Sequence, residues 1–162
     1  MTTLYLRFPS RLGEVTLTGD GRALTGFFYG GQKYHPPIGG DWRLADDDAL
    51  LREVREQYLA YEQGRLCRFE VTLDLHGTPF QQRVWQALLE VGYGQTISYG
   101  ELSRRIATPS AVRAVGAAVG RNPVSVIVPC HRIVGSNGSL TGYAGGLDRK
   151  RELLMLEGAL LV

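Results

Sequence analysis

Apolar stretches alternate with turn signals over the first 30 residues, and Leu4–Phe8, Val15–Thr18 and Leu24–Tyr29 read as strands, Val15–Thr18 with apolar and polar positions at a period of two. That period marks strands with one buried face. Gly13 and Asp20-Gly21 read as the turns between them, the second a strong hairpin signal. Gly30 to Trp42 is rich in Gly and Pro and reads as a loop. The period then lengthens. Leu50, Val54, Tyr58 and Tyr61 fall at helical spacing and predict a helix over Ala49–Tyr61. Asp46, Asp47 and Asp48 ahead of it suit the positive end of a helix dipole, and Gly64 is placed to end it. Phe69–Leu75 alternates again and predicts a further strand.

The pattern changes character after His76. Thr78-Pro79 opens a helix carrying Val84, Trp85, Leu88 and Leu89, with the proline near its first position. Gly92–Gly94 breaks it. Ser98 is a candidate cap for a short helix over Tyr99–Ile106, and Thr108-Pro109-Ser110 for a second over Ala111–Gly120. Two short helices joined by a tight turn make a helix-turn-helix candidate. Val124–Val128 is a short β-branched run behind Asn122-Pro123, read as a buried extended segment. Gly135–Gly146 is a Gly-rich loop, and Asp148–Leu161 predicts a closing helix. The expected fold class is α+β. An N-terminal α/β lobe with a small antiparallel sheet spans 1–75; a mainly helical lobe with the helix-turn-helix spans 76–162.

Composition narrows the classes. The 162 residues, 44% hydrophobic and 21% charged, suit one domain or two small lobes and exclude wholesale disorder. No apolar run approaches the ~18 residues of a membrane span, so no membrane partner is expected. The N-terminus lacks the basic and apolar regions of a signal peptide. Cys67 and Cys130 cannot make a disulfide framework, which points to a reducing, cytoplasmic setting. The net charge of +2 hides an asymmetry. Residues 1–75 hold 9 Lys and Arg against 11 Asp and Glu; residues 76–162 hold 9 against 5. A basic second half favours an anionic partner.

The chemistry gathers at Pro129-Cys130-His131-Arg132. A free thiol is only a few per cent thiolate at neutral pH, so a nucleophilic cysteine needs a base or a positive charge nearby. His131 and Arg132 are candidates to supply it. Neighbouring side chains point apart, so His131 needs a bridging water to reach the thiol. One Cys beside one His has no metal-ligand spacing.

These residues resemble the signature of the O6-alkylguanine-DNA alkyltransferases. Phe80-Gln81-Gln82-Arg83-Val84-Trp85, Ile97-Ser98-Tyr99-Gly100-Glu101-Leu102, Arg113-Ala114-Val115-Gly116 and Gly142-Tyr143-Ala144-Gly145-Gly146-Leu147 fall in the family's order, and Glu157 sits in the last helix. The likeness covers about residues 70–162 and is one of general layout before that. It implies that Cys130 takes the alkyl group from O6 of a damaged guanine and keeps it as a thioether, which spends the protein. His131, through a water, takes the thiol proton and Glu157 orients His131. Tyr99 donates to the departing guanine, and Asn122 braces the joint between the DNA-binding helix and the cysteine. Val119, Ile133, Tyr143, Ala144 and Gly145 line the base pocket.

The resemblance also implies a double-stranded DNA partner containing O6-alkylguanine. The second helix of the pair would lie in the minor groove, where readout is degenerate. Arg113 would fill the gap left by the flipped base. Ala114 would lie against the groove, and Gln81, Arg121 and Ser136 would contact phosphates. No cofactor is implied. Some members hold a structural zinc through N-terminal Cys and His; Cys67, His35 and His76 do not make such a set, so no metal is expected. Some carry Ser where this chain has Ala144, which leaves only backbone N–H groups for O6. A monomer is expected, with clustering on DNA left open. Two other classes remain at this level: a Cys-His hydrolase that turns over, and a damage-sensing module that uses only the helix-turn-helix.

Overall fold

A computed structural model describes residues 2–160. Strands β1 (Leu4–Ser10), β2 (Gly13–Gly19) and β3 (Leu24–Tyr29) form an antiparallel meander. The two-residue strand β4 (Arg43–Leu44) then adds in parallel beside β1, giving the order β3-β2-β1-β4. The sheet is therefore mixed, not antiparallel. The loop expected over Gly30–Trp42 ends in this edge strand, whose two exposed residues leave no periodicity to read.

The sheet's buried face carries Leu6, Phe8, Val15, Leu17 and Phe27. Against it packs α1 (Ala49–Glu62), whose buried stripe is Leu51, Val54, Tyr58 and Tyr61. Asp48 caps α1 by accepting from the Leu51 N–H at 3.0 Å. Gly64 takes the left-handed conformation just beyond the other end.

Phe69–Leu75 does not form a strand. It touches β3 through one bridge, Leu73 with Leu24. Thr72 accepts from the Leu24 N–H at 2.8 Å, and the Asp74 N–H donates back at 2.9 Å. A second stretch meets the same strand, with Phe27 paired to Val124. Two irregular segments thus cover an edge that would otherwise be open to other chains. The alternating pattern of Phe69–Leu75 reflects half-burial without a ladder.

Helix α2 (Pro79–Leu88) opens with a capping box between Thr78 and Gln81. Its Trp85 is buried and donates its indole N–H to the carbonyl of Ala118 at 2.8 Å. That carbonyl belongs to α4 (Val112–Gly120), which follows α3 (Tyr99–Arg105) as expected of a helix-turn-helix. Ser98 caps α3 by accepting from the Glu101 N–H at 3.0 Å. Thr108-Pro109-Ser110 does not cap α4: its N-cap is Ala111, with no side-chain bond. The backbone turns left-handed at Ala107, and the Thr108 hydroxyl points inward.

Val124–Val128 is buried as expected but not extended throughout. It reverses at Val126, which sits at φ 71°. A β-branched residue there is a true outlier and needs strong surroundings to hold it. Asn122 provides them. Its side-chain amide donates to the Val128 carbonyl at 2.7 Å and its carbonyl accepts from the Val124 N–H at 3.0 Å.

A short 3₁₀ turn, Cys130–Arg132, leads into β6 (Ile133–Val134), which pairs in parallel with β5 (Ile97–Ser98). The closing helix α5 runs from Leu147 to Leu156, shorter than the expected Asp148–Leu161, because Gly158 takes a left-handed φ. The expected last residue, Leu161, lies outside the described residues. One buried core runs through both halves, from Leu6 and Tyr58 to Val119 and Leu153. Among the described residues no helix is long and apolar enough to cross a membrane.

Candidate active site

The parallel pair β5–β6 is what assembles the site. Tyr99 follows β5 directly, and Cys130 stands just ahead of β6. Both line a cavity of about 320 Å³, together with Gly116, Ala117, Val119 and Gly120 of α4 and Gly142, Tyr143 and Ala144 of the following loop. Lys33 and Tyr34 of the N-terminal lobe complete its wall. The Lys33 N–H donates to the Ala144 carbonyl at 2.8 Å. The guanidinium of Arg121 lies over the Tyr34 ring, 3.9 Å from its centre.

Cys130 is buried, and burial pushes its thiol up to about 11; the Asn122 amide and the Lys150 ammonium pull the other way. The free thiol is therefore protonated at neutral pH and needs a base. His131 is fully buried, and its Nε2 lies 2.7 Å from Oε2 of Glu157. An ionised carboxylate only accepts, so the ring proton sits on Nε2 and Nδ1 keeps its lone pair. That Nδ1 has no partner among the described protein atoms. Burial lowers the pKa of His131 and outweighs the pull of Glu157, leaving the ring neutral and able to take a proton.

Glu157 carries the opposite balance. Burial alone would raise its pKa, but bonds from His131, Arg132 and Tyr61 hold it far below the ordinary carboxylate range. Arg132 donates to both of its oxygens, at 2.8 and 3.0 Å, and reaches the Val91 carbonyl at 2.7 Å. The Gly94 N–H adds a bond at 3.2 Å, and the Tyr61 hydroxyl another.

Tyr143 and Tyr99 have phenol pKa values raised by burial, so both stay protonated as donors. Gly145 has a packing reason: a Cβ there would sit 2.6 Å from the Tyr143 ring. Gly145 itself does not line the cavity; its carbonyl accepts from Arg149 at 3.0 Å. Ile133 does not line it either. Its side chain is buried in the core, where pairing with Ile97 holds it.

The residues expected at DNA all lie outside this cavity. Arg113 and Ala114 are exposed on α4, Ser136 is exposed after β6, and Arg121 closes α4 against Tyr34. Gln81 is committed elsewhere, since its side-chain carbonyl accepts from the Thr78 N–H at 3.0 Å.

Sequence reasoning missed Lys150, Tyr61, Lys33 and Tyr34. Lys150 is buried and donates to the carbonyls of Ile133, Thr141 and Gly142 at 2.5, 2.7 and 3.3 Å, which ties the pocket loop to β6. Burial lowers its pKa to about 8. A signal was present: Lys150, Leu153, Leu154 and Glu157 share the spacing of one buried helix face. Among the described residues no group of three His, Cys, Asp or Glu side chains could hold a metal.

Residues 79–159 match the family model described as the DNA-binding domain of 6-O-methylguanine DNA methyltransferase. The methylated-DNA–protein-cysteine methyltransferase of Mycobacterium tuberculosis is 48% identical over 153 residues, covering 94% of this chain and 91% of that protein. The chain belongs to this family. Its namesake in Methanosarcina acetivorans is 46% identical over 157 residues, covering 96% and 98%. The fold agrees. The crystal structure of Mycobacterium tuberculosis OGT in complex with DNA matches with a TM-score of 0.87 at 45% identity, over 98% of this chain and 94% of that one. The family likeness therefore extends across the N-terminal lobe, where the sequence motifs were thin.

Proposed function

We propose that this protein binds double-stranded DNA and repairs O6-alkylguanine by moving the alkyl group irreversibly onto Cys130, once per molecule. One observation carries the reading. Cys130 borders a base-sized cavity with Tyr99 and Tyr143, next in sequence to a buried His131–Glu157 pair. Relatives named for the same activity, and a solved relative in complex with DNA, support it.

The step balances as a single displacement. His131 Nδ1 takes the thiol proton through one water molecule. The sulfur forms a bond to the alkyl carbon as the carbon–O6 bond breaks. The electron pair leaves with guanine, and Tyr99 offers its hydroxyl proton to the departing base. A thioether has no hydrolysable bond, so the protein is spent. Asn122 holds the strained turn that presents Cys130, and Val119, Tyr143 and Ala144 wall the flipped base.

The DNA side rests on α4. Val112, Arg113, Ala114 and Ala117 are exposed along it, and the small residues among them let a backbone approach a narrow minor groove. Arg113 would occupy the place vacated by the flipped nucleotide. Arg121, at the C-terminal end of α4, and the exposed Ser136 are assigned to phosphates, with the Gln81 amide nitrogen as a further contact. The protein would act as a monomer in the cytoplasm.

Incubation with duplex O6-methylguanine DNA followed by mass measurement tests this. One methyl per molecule, located on Cys130 and absent from Cys130→Ala, is expected. No mass gain, or continued turnover, would refute it.

A further inference from the structure

The N-terminal lobe reaches the buried His131–Glu157 pair through one side chain. Tyr61, in the last turn of α1, is fully buried and donates its hydroxyl to Oε2 of Glu157, 96 residues away in sequence. The same oxygen meets Nε2 of His131. We propose that Tyr61 is a positioning residue for the alkyl transfer: it fixes the Glu157 carboxylate and, through it, the orientation and tautomer of His131. The proposal rests on the reading of Cys130 as the alkyl acceptor.

Five donors converge on Glu157. They are the Tyr61 hydroxyl, His131 Nε2, Arg132 Nε and Nη2, and the Gly94 N–H. A carboxylate offers about four lone-pair sites, so its acceptor capacity is filled and its plane is set. Arg132 alone would neutralise the charge. Tyr61 does something different. It is the one donor of the set that does not come from the C-terminal half, and it shares an oxygen with the histidine. It thereby limits how much of the carboxylate's negative charge is concentrated on the imidazole.

Its ring serves packing separately. It contacts Tyr58, Phe69 and Tyr93, with ring centres 6.1, 5.2 and 6.2 Å apart. Tyr61→Phe keeps that ring and deletes only the hydroxyl. Oε2 then loses a donor and turns more of its charge onto His131. The ring becomes more basic and stays protonated, hence useless as a base, to higher pH. The other ionisable groups around the pair are Arg132 on the same turn, Lys150 from α5 and Tyr93 from the loop after α2. All are untouched by the substitution.

The test is the single-turnover rate of full-length protein with free O6-benzylguanine from about pH 5 to pH 8, the range over which histidine titrates. Tyr61→Phe is expected to react roughly ten-fold more slowly near neutrality, the scale of one hydrogen bond to a charged group. Its acid limb should lie at higher pH than that of the wild type. In a Glu157→Gln background the same change should add little further loss, because both act through one carboxylate. A wild-type rate and profile for Tyr61→Phe would overturn the inference. So would an equal slowing at every pH that adds fully to the Glu157→Gln loss. If wild-type protein gains no alkyl group on Cys130, the underlying reading fails instead, so the two failures are distinct.

Discussion

Glu157 is a charge held inside a protein, and its neighbours decide what that does. Replacing it by Gln leaves Arg132 buried with no countercharge, a change worth about 3–5 kcal/mol of stability. The pH dependence follows from the direction of its shift. The folded state holds this carboxyl well below the ordinary range, so its stabilising effect is complete above an unfolded glutamate's pKa of about 4.3. It drains away as pH falls towards the depressed folded value. Thermal melts of the wild type should therefore steepen in their loss of stability below about pH 4, and Glu157→Gln should flatten that acid limb. Cys130 and His131 stood out in the sequence as a thiol beside an imidazole, and Glu157 was picked out by the resemblance of the ordered motifs to the alkyltransferase family. Lys150 and Tyr61 were not. Tyr61 reads as an ordinary member of an amphipathic helix, and the place of Lys150 on a buried helix face does not say which carbonyls its ammonium meets.

At the scale of elements, α4 exposes small side chains around one arginine, the surface proposed above for DNA. Arg113 is exposed and makes no ion pair among the described residues, so its guanidinium is available to stack. Stacking of this kind is worth about 1–3 kcal/mol per base. Arg113→Ala should slow repair of duplex DNA by roughly ten-fold or more on that scale, while the reaction with free O6-benzylguanine changes little. Equal losses on both substrates would remove Arg113 from base flipping. The first four helices were predicted within a residue or two by their period, whereas the closing helix ends five residues before the expected Leu161 and the expected cap of α4 does not form. The short strands were not predicted. β4, β5 and β6 are two residues each, too short to show alternation, and parallel pairing joins segments far apart in sequence. Yet β5–β6 brings Tyr99 to Cys130. The loop over 30–42 was equally silent, since nothing in a Gly- and Pro-rich stretch announces that Lys33 and Tyr34 will wall the cavity.

For the whole molecule, one buried core spans the expected division at residue 75. Tyr58 and Tyr61 from one half pack in the same cluster as Val91, Val128 and Leu153 from the other. Arg149 of α5 ties them further, donating to the carbonyls of Leu12 and Gly30 at 2.7 and 3.1 Å. Calorimetry should accordingly show a single two-state transition, and residues 76–162 alone should lack a cooperative melt. Two separate transitions would argue for independent halves. The charge asymmetry read from the sequence belongs to this scale too. The basic half carries α4 and most of the cavity wall, so affinity for DNA should fall as salt rises.

Trp85 gives the molecule an internal optical probe. Its buried indole is hydrogen-bonded to a carbonyl of α4, while Trp42, the chain's other tryptophan, sits half-exposed beside Tyr5. Iodide would quench the surface emission selectively and leave a blue-shifted signal from the interior. That residual fluorescence watches the helix that carries Arg113, with no label attached.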